Sequence, residues 1–147
     1  MTVWTSLLEA LHSAMVDELN ELFPNMKPEL GMPLRMKQFA IPDASLKTVL
    51  AFDVRIDSQR GTVFLGMSPK LTSASQITAQ NLWNSLHSRA EKEFERRGIA
   101  PQFGGSKLIA EQDVSALPKD IAFPRRMVWI PFTLPTGICY LGFGPQE

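Results

Sequence analysis

Apolar residues recur every three or four positions near the start of the chain, at Trp4, Leu7, Leu8, Leu11, Met15, Leu19, Leu22 and Phe23. That spacing lays them along one stripe of a helix, with Glu9, His12, Ser13, Asp17, Asn20 and Glu21 mostly opposite. The helix is expected over about 6–23, opened by a Ser6/Glu9 capping box and stopped by Pro24. Residues 24–33 contain three prolines and a glycine and read as a connection. Leu34–Phe39 then alternates with a period of two, the mark of a short strand at a sheet edge.

The clearest alternation follows. Leu50, Phe52, Val54 and Ile56 interleave with Ala51, Asp53 and Arg55, and Thr62–Met67 resumes the pattern after Ser58–Gly61. Residues 47–68 are therefore expected to form a hairpin turning at 58–61, with Asp53 on a water-facing side. Pro69 reads as a break, and Ser73 with Gln76 as a second capping box. A long helix is expected over 74–97, with Ile77, Leu82, Trp83, Leu86, Ala90 and Phe94 as its stripe. Arg96, Arg97 and Gly98 suit its C-terminus. Lys107–Ala110 reads as a strand and 111–124 as a loop. Residues 126–133 and 137–143 read as a closing hairpin around 134–137.

Runs of strands separated by single helices imply an α+β fold, a mainly antiparallel sheet packed with two long helices. Each half reads helix then strands, which suggests an internal pseudo-twofold repeat. At 147 residues, residues 1–147 are expected to be a single domain. Apolar residues make up 44 % and charged residues 20 %, enough to build a core. Fifteen basic residues balance 15 acidic ones, which argues against nucleic-acid binding through a general basic field. The single cysteine, Cys139, excludes a disulfide within the chain and a cysteine-based zinc site. With no basic leader and no apolar run of the roughly 20 residues a span requires, no membrane insertion and a cytoplasmic location are expected.

Few residues carry obvious chemistry. His12 and His87 lack the short spacing of a metal site and read as solvated helix positions, so no metal is expected. Cys139 lies in an apolar strand, where a thiol behaves as a small hydrophobe. Phe103–Lys107 lacks the spacing of a phosphate loop, and Asp43, Asp53 and Asp57 show no partner acid. Residues 91–97 read as a charged, solvated helix face. Asn81 and Asn84 stand at i and i+3 on the long helix and share one side of it. A carboxamide donates and accepts hydrogen bonds but does not titrate. Such a pair can orient water or grip a partner, and cannot act as a general base.

Val128-Trp-Ile-Pro-Phe-Thr-Leu-Pro-Thr-Gly137, with Arg60-Gly-Thr-Val-Phe-Leu65 and the long helix ending at Gly98, resembles the CheC/CheX-like chemotaxis phosphatase family, a relative of flagellar switch middle domains. The likeness covers about 46–143. That family carries Glu-x-x-Asn on its long helix, and setting Gly98 at the post-helix glycine puts Asn84 at the asparagine and Asn81 at the glutamate. In the family the asparagine positions the water that attacks the aspartyl phosphate of a CheY-like response regulator, and the glutamate engages the regulator's lysine. The resemblance implies catalytic roles for Asn84 and Asn81. Asp17-x-x-Asn20 is a second copy of the spacing, with Asp for Glu, and Asp17, Asn20 and Ser88 are the partner-binding candidates. It also implies no cofactor of the chain's own, Mg²⁺ supplied by the regulator, and a homodimer. Because Asn81 cannot offer a charge to a lysine, enzyme activity stays open. The chain reads as a regulator-binding protein with weak or lost phosphatase activity, or as a non-enzymatic interaction module of the same fold.

Overall fold

The first apolar stripe folds as α1 (Val3–Leu22). It begins earlier than expected because Val3 and Trp4 also pack on the core, with the Trp4 ring 4.9 Å from Phe143. Ser6 and Glu9 are thus interior helix positions, and no capping box forms there. The computed structural model describes residues 3–24, 27–36, 42, 46, 48–105, 107–110 and 126–145. Residues 37–39 of the expected first strand, Asp43, and the expected loop 111–124 lie outside the described residues.

Two signals near residue 70 resolve differently from the sequence reading. Pro69 opens a helix, α2 (Pro69–Ser75), instead of breaking one. Proline suits the first helical position, where its missing N–H has no partner to lose. Ser68 is the cap: its Oγ accepts from Leu71 N, and also from Ile138 N at 3.1 Å, which ties α2 to the sheet. Gln76 takes the left-handed conformation that ends α2, so Ser73 and Gln76 form no capping box. The long helix is α3 (Ala79–Arg97), capped by Thr78, whose Oγ1 accepts from Asn81 N. Gly98, at φ 70°, closes it as expected.

The strands are β1 (Glu29–Leu30), β2 (Leu34–Met36), β3 (Thr48–Ile56), β4 (Gln59–Met67), β5 (Gln102–Phe103), β6 (Lys107–Ala110), β7 (Met127–Leu134) and β8 (Gly137–Pro145). They form one antiparallel sheet in the order β1-β7-β8-β4-β3-β5, with β2 also on β7 and β6 also on β3. The first hairpin is tighter than expected. Ile56 pairs with Gln59, so the turn is Asp57–Ser58, with Asp57 in the left-handed region at φ 55°. Gly61 belongs to β4, opposite Val54. The breaker-rich segment contributes β1, which sequence reading missed because two residues are too few to show a period. Pro131 sits inside β7 without cost, since its carbonyl accepts from Gly31 N. Its donor-less nitrogen therefore faces the gap between β1 and β2.

Both long helices lie on one face of the sheet and run antiparallel, since Glu9 pairs with Arg97 and Glu18 with Arg89. Between them and the sheet lies the main core, with Leu7, Leu11 and Met15 of α1, Phe52, Val63, Leu65 and Leu141 of the sheet, and Trp83 and Leu86 of α3. The opposite face is also apolar at its centre: Val49, Ala51, Phe64, Trp129 and Tyr140 form a second buried cluster with Leu46. The one-sided sheet implied by alternation holds only at the hairpin tip, where Asp53 and Arg55 are exposed as expected.

Candidate functional site

The outer surface of α3 carries the residues singled out by spacing. Thr78 caps the helix, so Asn81 lies in its first turn and Asn84 follows one turn on; both are exposed. Gln80 Nε2 donates to Asn84 Oδ1 at 3.1 Å. This bond orients the carboxamide while leaving its own N–H₂ and a second lone pair on oxygen available. Ser88 is exposed one turn further along.

Asn84 and Ser88 border a cleft of about 530 Å³ between the two long helices, shared with Glu18, Glu21, Ser85, Arg89 and Lys92. Asn81 is not among its lining residues, nor are Asp17 and Asn20, which are exposed on α1. Arg89 holds the cleft together. Its Nε donates to Glu18 Oε2 at 3.0 Å, and its terminal nitrogen donates to Glu21. The Glu18 hydrogen bond is the main cause of the raised Arg89 pKa; burial opposes it and Glu21 adds to it. Below, Arg97 donates to Glu9 across the helices at 2.7 Å. Sequence reading missed this clamp. The available signal was Glu18 itself, a charge inside the apolar stripe of α1 between Met15, Leu19 and Leu22.

The histidines differ from the solvated reading. The ring of His12 packs against Phe132 at 5.3 Å, and burial lowers its pKa. His87 stacks on Trp83 at 5.6 Å and meets the edge of Phe103 at 5.0 Å. Among the described residues no three of His, Cys, Asp and Glu are grouped as a metal site requires. Cys139 is buried in β8, and desolvation pushes its thiol up to about 12. Because the thiolate is the nucleophile, native protein at pH 8 is expected to leave a disulfide reagent unreacted over minutes, and denatured protein to react fully. A colorimetric thiol assay with and without denaturant checks this, and fast native labelling would contradict the buried strand. No helix of the described residues is long and apolar enough to cross a membrane.

This architecture is the CheC/CheX-like fold. A CheC-like superfamily protein from Shewanella sp. PV-4 matches over 100 % of both chains, with TM-score 0.71 and 13 % identity. A structure of the CheX–CheY–BeF3–Mg²⁺ complex from Borrelia burgdorferi matches 95 % of this chain and 97 % of that chain, with TM-score 0.61 and 13 % identity. The FliM middle domain from H. pylori matches 95 % of this chain and 88 % of that chain, with TM-score 0.55 and 8 % identity. At such identities the likeness is one of fold. No protein-family profile and no curated protein matches the sequence.

Proposed function

We propose that this chain, built on the fold of the chemotaxis proteins CheC and CheX, docks a phosphorylated CheY-like response regulator on the outer face of α3, with aspartyl-phosphate hydrolysis weak or lost. The observation that carries the reading is the exposure of Asn81 and Asn84 on one helix, with Asn84 held by Gln80 beside the interhelical cleft. A fold-mate in complex with CheY supports the class of partner. In this reading the regulator brings the phosphoryl group and Mg²⁺. Asn84 holds a water in line with the phosphorus; the water oxygen bonds to phosphorus as the P–O bond to the aspartyl oxygen breaks, the aspartate carboxylate is restored, and inorganic phosphate leaves with the water's protons. The chain's contribution is position, not covalent chemistry. Ser88 provides a further polar contact on α3, and Asp17 and Asn20 are the candidate contacts from the neighbouring α1.

Asn81 is the departure from the motif. It offers no charge to a regulator lysine, and charge-assisted hydrogen bonds are about twice as strong as neutral ones. This favours the second reading, a non-enzymatic module that binds a regulator without changing its phosphate lifetime. Phosphate decay of a cognate regulator, measured alone, with the wild-type chain and with Asn84→Ala, tests the first. Faster decay with wild type, abolished in the variant, is expected of an enzyme; three equal rates remove the enzymatic half. Asn81→Glu is expected to tighten regulator binding about tenfold. The substitution also completes a capping box with Thr78, so the variant folds at least as well. Unchanged or weaker binding by calorimetry would remove α3 as the docking face.

A further inference from the structure

A second recess lies away from α3. A groove of about 570 Å³ opens between Leu8 of α1 and the outer part of the sheet, with Val128, Ile130 and Phe143 among its apolar walls. Among the described residues its only charged lining residues are Arg35 and Arg126, and none is acidic. Arg35 stands opposite Val128 in the β2–β7 register, and Arg126 precedes Val128 by two residues. Alternation sends the Arg35 side chain to the helix-bearing face, where the pattern calls for apolar residues, and Arg126, in the bend just before β7, lines the same groove. Both are exposed, and neither takes part in the ion pairs among the described residues. Two like charges lining one groove repel, and an anion between them relieves the repulsion.

We propose that this groove binds a small amphiphilic anion, an alkyl or aryl body bearing one carboxylate. The body lies on Val128, Ile130 and Phe143, and the carboxylate sits between Arg35 and Arg126. The volume and lining fit a small molecule. The groove falls within the usual range for ligand pockets, about 300–1,000 Å³, with apolar walls and a few polar groups. Charge complementarity selects an anionic head, and the planar guanidinium fork suits a carboxylate. The groove shares no residue with the cleft at Asn84, so it stands or falls independently of regulator docking.

Decanoate is the probe, with decanol as its uncharged counterpart, each added below its aggregation limit to protein carrying ¹³C-methyl methionine. Met36 and Met127 line the groove, whereas Met15 and Met67 do not. Decanoate is expected to shift the first two methyls saturably and leave the other two in place. The R35Q/R126Q double variant is expected to weaken decanoate about tenfold or more and leave decanol unchanged. Equal binding of decanoate and decanol to wild type overturns the proposal, as do shifts spread over all four methyls or no saturable shift. If neither ligand binds and the double variant self-associates, the arginines guard an open sheet edge and the proposal is wrong.

Discussion

Trp129→Ala is expected to lower unfolding free energy by about 3–5 kcal/mol, the range for deleting a large buried aromatic. Trp129 is 0 % exposed on the sheet face opposite the long helices. It packs against Phe64 at 5.5 Å and meets Tyr140 edge-on at 6.2 Å. Its indole lies directly on Gly142, where an added Cβ would come within 2.6 Å of the ring. Gly142→Ala is therefore expected to cost about 1–3 kcal/mol by overpacking. The Trp129→Ala/Gly142→Ala pair should cost less than the sum, because removing the indole frees the space. Urea unfolding of the three variants checks this. A Trp129→Ala cost below about 1 kcal/mol would mean that this face is no core.

Arg89→Leu carries the second large effect. It strands Glu18, whose side chain is 7 % exposed, without its hydrogen-bonded cation. Breaking a fully enclosed pair costs about 3–5 kcal/mol, but Arg89 keeps part of its surface in water, so about 2–3 kcal/mol is expected. The exposed Glu21 pair contributes little to that figure. Adding Glu18→Gln should return most of the loss, since the stranded charge is gone. Chemical denaturation at pH 7.5 measures both. A null effect in Arg89→Leu would show that the clamp does not set the spacing of α1 and α3. The same arginine lines the cleft beside Asn84, so a regulator-binding assay on this variant reports whether that spacing matters for docking.

The candidate site was half legible. Asn81 and Asn84 could be placed on one helix side from their spacing alone, because a strong 3.6-residue stripe fixes which side of α3 is buried. Arg89 could not be found that way. Its partners Glu18 and Glu21 are 71 and 68 residues distant, and no local pattern encodes which helix lies alongside. Pro69 shows the same limit at short range, since one residue type both stops helices and starts them. What decided between the two was Ser68, whose hydroxyl meets Leu71 N and the distant Ile138 N.

Local periodicity was enough to determine two long helices, two hairpins, the glycine stop at Gly98 and the α+β class. Each of these follows from which side chains a short stretch must hide from water. The covered second face, the pairing of β1 and β2 on β7, the Glu18–Arg89 clamp and the arginine-rimmed groove were decided only by the tertiary structure. Those features depend on residues far apart in the chain meeting in space. Alternation along a strand sorts its side chains into two faces, but what covers each face is a property of the other elements.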